Sequence, residues 1–401
     1  MSGSLRGGAY AFGLVALLCA SGPAFAQQAG ASGWHLDARL RYEAVSQSAL
    51  EDADALTFRA RLRYEAPIWR GFAALIEAEG VADLAGDYND TINGRTNFAT
   101  IADPEALELN RLQLSWAGAE GQRLTLGRQR IVLGNARFVG NVGFRQNEQT
   151  FDALRFDAPI AENVNLTYLY IGRVRRVFGD DSPQGEWESD SHVLTGEAQT
   201  SWGRIGAYAL LLDFQNASAQ SSQTYGLRWS HEWSVGQVAP RLTLEAARQS
   251  EYRGNTASFD ADYYLAELAA RRGSATATLG WEQLGGDDAR GFSTPLATLH
   301  AFQGWADVFL TTPPDGVRDL YAGLSYRTTP WPNDQPVTLT LVAHSFSDDA
   351  GGAEFGDEIN ASARFVLGSR AAVEIKAASF DGENSRFPDR LKLWLSLELN
   401  F

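Results

Sequence analysis

The sequence contains almost no sulfur. Cys19 is its one cysteine and Met1 its one methionine, and both lie in the N-terminal segment. Cleavage of that segment would leave a chain without disulfides, thiol catalysis or cysteine-based metal sites. Long apolar runs are equally scarce. The longest, Ala9 to Ala20, is shorter than the roughly 20 residues that a membrane-spanning helix needs, so a helical inner-membrane protein is excluded.

The N-terminal residues have the pattern of a secretory signal peptide. Met1 to Arg6 carries one positive charge and no acid, and the apolar run follows it. Ala24-Phe25-Ala26 then places small residues at the two positions that a signal peptidase reads. A bulky leucine directly before Cys19 argues against a lipoprotein signal. The sequence therefore predicts a signal peptide over residues 1–26 and one mature domain over residues 27–401.

Nearly every segment of the mature chain alternates apolar and polar residues. In segment 34–44 one face is apolar and the other is charged, and segment 390–401 repeats this pattern up to its terminal Phe401. This alternation is typical of strands that meet lipid on one side and water on the other. The predicted strands are 34–44, 55–66, 72–81, 106–117, 123–133, 150–158, 163–176, 192–200, 204–214, 223–233, 239–249, 260–271, 274–284, 319–327, 337–346, 357–367, 371–380 and 390–401.

These segments predict an all-β fold, a transmembrane antiparallel barrel of about eighteen strands, with sixteen as the alternative count. Closure is obligatory because lipid cannot satisfy an open strand edge. The connections alternate in length, as they do in bacterial barrels with both termini in the periplasm. The predicted short periplasmic turns include 67–71, 117–122, 201–203 and 368–370, and the predicted long extracellular loops are 82–105, 134–149, 177–191 and 285–318.

The last residue, Phe401, closes an alternating strand on its apolar face. A terminal aromatic in this position resembles the signal that the outer-membrane assembly machinery reads. The predicted location is therefore the outer membrane of a Gram-negative bacterium. The predicted partners are membrane lipid, lipopolysaccharide and the assembly machinery, and nucleic acid is not among them.

Two loop stretches resemble the alginate-export family of outer-membrane proteins. The first runs from Gly127 to Ala153 and includes Arg145-Gln146-Asn147, and the second runs from Gly291 to Asp307 and includes Gln303-Gly304-Trp305. The resemblance implies an eighteen-stranded barrel that passes an anionic, alginate-like uronate polymer through an arginine-lined constriction. One departure is the short turn at 368–370, where the alginate exporter has a long periplasmic lid. This departure puts periplasmic gating in doubt.

Strand parity predicts a group of cations in the lumen. They are Arg39, Arg41, Arg59, Arg61 and Arg63, with Lys376 and Lys392 on strands that closure brings next to them, and with Arg111 and Arg155 extending the set. Rings of Arg or Lys select anions in pores, and a guanidinium binds a carboxylate through two parallel hydrogen bonds. Gly127 favours a bulge that would change the parity after it, so the lumen positions of Arg128 and Arg130 rest on the resemblance. Trp394 has lumen parity and is a candidate for stacking on a sugar ring.

The alternative interpretation of these cations is a hydrated lattice of arginine and glutamate that stiffens the barrel wall. The net charge of −15 does not decide between the two interpretations, because much of the acid falls in predicted loops such as 87–90 and 348–349. The row Arg59, Arg61 and Arg63 favours the binding interpretation, since like charges on one face repel unless an anion is near.

Two functions share this fold: export of an anionic polysaccharide, and a diffusion or uptake porin for small anions or other nutrients. The sequence does not show the direction of transport, and a periplasmic lipoprotein partner is left open. An enzyme is disfavoured. The sequence has five histidines, of which His231 has a lipid-interface position and His300 lies in the second loop stretch without a local Ser-His-acid arrangement. No cofactor and no metal site are predicted, and whether paired loop acids such as Asp348-Asp349 bind a divalent cation is left open.

Overall fold

The computed structural model describes residues 32–330 and 335–401, which form one antiparallel sheet of eighteen strands. Each strand pairs with its neighbours along the chain, and β1 pairs with β18, with Asp37 opposite Asn400, to close the barrel. The strands are β1 (Gly33–Gln47), β2 (Ala53–Glu65), β3 (Phe72–Asp87), β4 (Ala106–Ala117), β5 (Arg123–Gln129), β6 (Thr150–Ala161), β7 (Val164–Arg175), β8 (Glu186–Thr200), β9 (Gly203–Leu212), β10 (Ser222–Glu232), β11 (Val238–Glu251), β12 (Asp260–Arg272), β13 (Ala275–Leu284), β14 (Val317–Thr328), β15 (Val337–Ser347), β16 (Glu354–Leu367), β17 (Ala371–Gly382) and β18 (Arg390–Asn400). The eighteen-stranded barrel is confirmed, and the count of sixteen is wrong. The predicted signal peptide lies outside the described residues.

The two faces of the barrel wall explain the alternation in the sequence. Leu36, Leu62 and Leu395 are 39%, 48% and 50% exposed on the outer face, where they suit lipid. Their strand neighbours Arg61 and Trp394 point inward and are buried. Two short 3-10 helices lie in connections, and among the described residues no helix is long and apolar enough to cross a membrane.

The connections differ in length between the two ends of the barrel. Short turns such as 201–202 and 368–370 lie at the same end as the start of β1 and the end of β18. The long loops 88–105, 130–149 and 285–316 leave the opposite end. As in bacterial barrels, we call the short-turn end periplasmic and the long-loop end extracellular.

Three strand ends differ from the prediction by four or more residues, because these ends do not follow the apolar pattern. β3 continues to Asp87, since its pairing with β2 resumes after a bulge. β8 already begins at Glu186, where small serines replace apolar residues on the inner face. β5 ends at Gln129, because the chain then leaves the wall and Ile131 packs inside the barrel with no exposed surface.

The outer apolar face is interrupted on β5 and β6. Arg128 pairs across the sheet with Leu112, which is 51% exposed on the outer face, and it follows the outward-facing Leu126 by two residues. Its Nε donates to the carboxylate of Asp152 on β6 at 2.7 Å. The lumen position of Arg128 implied by the resemblance is therefore wrong. Gly127 does not change the register of β5 against β4, so the parity of the strand continues through it.

Phe401 closes the seam between the first and last strands. Its amide donates to the Leu36 carbonyl at 2.8 Å, the Leu36 amide donates back to its carbonyl at 3.0 Å, and its side chain is 58% exposed on the outer face.

Replacing Phe401 by serine should slow membrane insertion severalfold. The backbone bonds stay, but the ring is lost, and transfer of a phenylalanine side chain out of water is worth about 1.5–3 kcal/mol. The folded fraction in lipid vesicles, followed by heat-modifiable mobility, measures the effect. Phe401→Tyr, which keeps the ring, is the control. Unchanged insertion kinetics in Phe401→Ser would show that the signal lies elsewhere.

Candidate functional site: the lumen and its inserted loops

Two long connections fold back into the barrel. They are the β5–β6 loop, residues 130–149, and the β13–β14 loop, residues 285–316. The Gly140 amide donates to the Leu296 carbonyl at 2.8 Å, and the side-chain amide of Gln149 donates to the same carbonyl at 3.1 Å. Because these bonds join the loops inside the barrel, we treat the two ranges as one unit and call them the lumen insert.

Arg39 and Arg41 of β1 hold the lumen insert by its backbone. Arg39 donates to the side chain of Gln146 at 2.8 Å and to the carbonyl of Gly143 at 3.1 Å. Arg41 donates to the carbonyl of Phe144. The two arginines are 4% and 1% exposed. They face inward, as their strand parity predicts, but the insert encloses their guanidinium groups.

Arg59 and Arg61 of β2 are buried beside carboxylates. Arg59 pairs with Asp37, and Arg61 pairs with Glu79. Arg61 also lies 3.5 Å from the carboxylate of Glu148 in the lumen insert. Like charges are tolerated in this row because carboxylates of the chain itself lie between them.

Arg111, Arg130 and Arg155 also lie on the lumen side. Their ion pairs are Arg111 with Glu77, Arg130 with Glu148, and Arg155 with Asp157. Arg111 is enclosed, but the side chains of Arg130 and Arg155 are 32% and 27% exposed. The exposed part of each guanidinium is open to a solute in the lumen.

Arg63 is the most accessible member of the predicted β2 row. Its Nε lies 3.0 Å from the carboxylate of Glu65, and its side chain is 30% exposed. Within the described ranges, this contact is an ion pair without hydrogen-bond geometry at Nε. Arg111 and Arg130 lie within electrostatic reach, and they add to the positive potential around it.

Lys376 and Lys392 reach the β13–β14 loop. Lys376 Nζ lies 2.7 Å from Nε2 of His300, and Nδ1 of His300 lies 2.7 Å from the Asp307 carboxylate. Lys392 donates to the other Asp307 oxygen at 2.7 Å. The Trp394 ring packs 5.5 Å from the His300 ring and is 3% exposed. Lys376, Lys392 and Trp394 therefore lie close together, but they contact the β13–β14 loop, and the Trp394 ring is enclosed.

The ionisable groups of the loops have the protonation states that these hydrogen bonds and ion pairs require. Burial would raise the pKa of Asp307, but His300 and Lys392 outweigh it and hold that pKa well below its usual range. Burial would also raise the pKa of Asp103, and Arg41 outweighs it. Burial lowers the pKa of His300 against the opposing effect of Asp307. The histidine is therefore neutral at pH 7, accepts from Lys376 through Nε2 and donates to Asp307 through Nδ1.

The wall opposite β1 carries hydrogen bonds between tyrosines and glutamates. Three of its tyrosines donate to glutamates: Tyr208 to Glu245 at 2.9 Å, Tyr263 to Glu282 at 2.7 Å, and Tyr321 to Glu267 at 2.7 Å. Cations gather on β1, β2, β17 and β18, whereas these carboxylates gather on β11 to β13. Two of these glutamates also pair with arginines, Glu245 with Arg228 and Glu282 with Arg137, so their charges are balanced within the protein.

Several residues of the site were not predicted as site residues. They are Asp103, Arg137, Arg145, Gln146, His300, Gln303 and Asp307, which join the lumen insert to the wall or to itself. All but Asp103 fall within the two stretches that carry the family resemblance. The resemblance marks the stretches, but no local pattern in them identifies a partner on a distant strand.

The comparisons with known proteins concern the fold. No protein-family model matches the chain, and no curated protein matches its sequence. Acinetobacter baumannii OccAB4 superposes with a TM-score of 0.73 at 14% identity, over 92% of this chain and 97% of that one. This chain therefore has the fold of the Occ outer-membrane barrels. Pseudomonas aeruginosa OccK9 (OpdG) gives 0.72 at 15% identity, over 92% and 98% of the two chains.

A third similar structure was determined with a small molecule. It is Pseudomonas aeruginosa OpdK with vanillate, with a TM-score of 0.67 at 14% identity, over 92% of this chain and 99% of that one. At low sequence identity the chain thus resembles eighteen-stranded outer-membrane barrels of the OprD/Occ type in fold. The comparisons do not specifically support alginate export.

Proposed function

We propose that this protein is an outer-membrane channel for small organic anions, and for carboxylates in particular. The observation that carries the proposal is the lumen insert. It joins two loops inside the barrel, and buried arginines fix it to the wall, so the bore left for a solute is narrow. A narrow bore that keeps partly exposed arginines suits a small anion.

Three partly exposed cations supply the attraction. Arg63, Arg130 and Arg155 keep 30%, 32% and 27% of their side chains exposed toward the lumen. A charge in a confined channel is screened less by salt than a charge on a surface. The OpdK structure with vanillate, a carboxylate, supports the same solute class by analogy of fold.

Export of an anionic polysaccharide is the second candidate function. The stretches that resemble alginate exporters favour it. In the structure, however, Arg145 and Gln146 of the first stretch contact Glu43, Arg39 and Thr57, so these residues have a role in holding the loop. A polymer chain would have to displace an insert that buried ion pairs retain.

Reversal potentials in a salt gradient across a planar bilayer test the proposal. The wild-type channel should prefer anions, because loop carboxylates that lie more than a screening length of about 8 Å from the lumen arginines are largely screened at physiological salt. Short oligouronates should compete with benzoate for the lumen, and a long uronate polymer should not pass through the channel. A cation-selective wild type, or passage of the polymer, would contradict the proposal.

Arg63→Gln should lower the anion-to-cation permeability ratio about two- to fivefold. It removes an accessible positive charge from the lumen, and the interaction of such a charge with an anion at a solvated site is worth roughly 1 kcal/mol or less. Arg63 is a better position than Arg61, since loss of Arg61 would leave the buried Glu79 without its ion-pair partner. Arg95→Gln removes the same charge from an exposed extracellular pair with Asp87 and is the control. A ratio in Arg63→Gln equal to that of the control would remove Arg63 from the path.

A further inference from the structure

Arg176 lies on the inner side of the extracellular mouth. It follows β7 directly, and its guanidinium covers the ring of Trp187 at 3.9 Å and that of Phe178 at 4.6 Å. Trp187 belongs to a buried cluster on the inner face of the wall that also contains Val174 and Phe214. Anything that enters the barrel from outside therefore passes the end of the barrel where this guanidinium lies.

The guanidinium of Arg176 has an incomplete set of partners. Its one side-chain hydrogen bond goes to the carbonyl of Gln184 at 3.1 Å, and within residues 32–330 and 335–401 it forms no ion pair. Burial lowers its pKa to about 10. The adjacent Arg175 differs, because it pairs with both Asp180 and Glu186. A partly buried cation without an anion is costly, and a bound anion would remove that cost.

Arg386 shows which ligand such an arginine takes in this protein. Its guanidinium also covers two aromatic rings, Phe355 at 5.6 Å and Phe387 at 5.0 Å. The two nitrogens Nη1 and Nη2 each donate to an oxygen of Asp315 at 2.7 Å. Arg176 likewise lies over two aromatic rings, at shorter distances, but among the described residues no carboxylate pairs with it. A planar carboxylate fits the same two-bonded geometry.

We propose that Arg176, with Trp187 and Phe178, is a capture site for the carboxylate of a small organic anion at the extracellular mouth. The aromatic rings orient the guanidinium and restrict its rotamers, so that little conformational entropy is lost when the carboxylate binds. A site at the mouth raises the local concentration of the anion before it reaches Arg63. This use of the site rests on the proposed function, but the binding itself does not.

The test is local binding of benzoate, read at Trp187. The purified full-length protein is labelled with 5-fluorotryptophan, and the Trp187 fluorine resonance is assigned with Trp187→Phe. Benzoate should shift this resonance in a saturable way, and the uncharged benzamide should not. Arg176→Gln should weaken benzoate binding about tenfold, as expected for loss of a charge-assisted pair. Equal shifts with both ligands, no shift with benzoate, or an unchanged affinity in Arg176→Gln would each overturn the proposal.

Two variants make the result specific. Arg386→Gln removes one positive charge from the same end of the barrel, and benzoate should still bind at Trp187 with wild-type affinity. A tenfold loss in this variant would overturn the site in favour of a general charge effect. Arg63→Gln should change ion selectivity and leave the Trp187 titration intact, so failure of the proposed function and failure of this site give different results.

Discussion

Replacing Arg137 by glutamine should release the lumen insert and raise the single-channel conductance severalfold. Arg137 is 1% exposed, and its Nε donates to the Glu282 carboxylate of β13 at 2.8 Å. Its Nη2 donates to Gln303 at 3.0 Å. One side chain thus ties the β5–β6 loop to the wall and to the β13–β14 loop. Breaking a buried ion pair costs about 3–5 kcal/mol, because the remaining charge stays buried.

Planar-bilayer conductance and protease cleavage within the lumen insert measure this release. Adding Glu282→Gln to Arg137→Gln should bring the conductance and the protease cleavage part of the way back to wild-type values, since no buried charge is then left unpaired. Arg248→Gln is the control, because Arg248 and Asp260 form an exposed pair. Wild-type conductance and wild-type protease resistance in folded Arg137→Gln would show that other contacts hold the insert.

Replacing Gly127 by valine should prevent the barrel from assembling. Gly127 of β5 has a φ of +113°, which side-chain-bearing residues rarely adopt, and an added Cβ would overlap the carbonyl oxygen of Leu112 on β4. Backbone strain of this kind costs about 1–3 kcal/mol. The overlap adds to it, because a strand backbone cannot move aside without losing its ladder. We expect little or no folded protein.

The folded fraction after refolding into lipid vesicles, read as heat-modifiable mobility, measures the effect. Gly196→Val is the matched control. Gly196 lies on β8, no atom lies within 4 Å of an added Cβ, and its φ is not positive. It should fold in wild-type yield. Normal assembly of Gly127→Val would mean that β5 can pair with β4 in another backbone conformation.

The alternation of side chains predicted most of the fold. Lipid on one side and water on the other impose period two on every strand, so segments such as 106–117 and 371–380 match the structure closely. The prediction failed where this constraint ends. The predicted fifth strand ran to residue 133, but Ile131 within it is buried inside the barrel because the chain has already left the wall.

The same reasoning predicted the direction of side chains better than their partners. Parity places Arg39 and Arg41 in the lumen, and they are there. The partner of Arg39 is Gln146, which lies 107 residues away along the chain. Such a contact depends on how a loop folds back, and neither periodicity nor charge spacing contains that information. Arg128 shows the converse. Strand parity places its side chain on the outer face, where it lies, whereas the family resemblance placed it in the lumen.

On the outer face of β5 and β6, the apolar band that contacts lipid is shorter than on β4. On β5 the outward apolar side chains before Arg128 are Leu124 and Leu126, whereas β4 presents Leu107, Leu109, Leu112, Leu114 and Trp116. The outer leaflet must thin on this side, at a cost of a fraction of a kcal/mol per Å of mismatch.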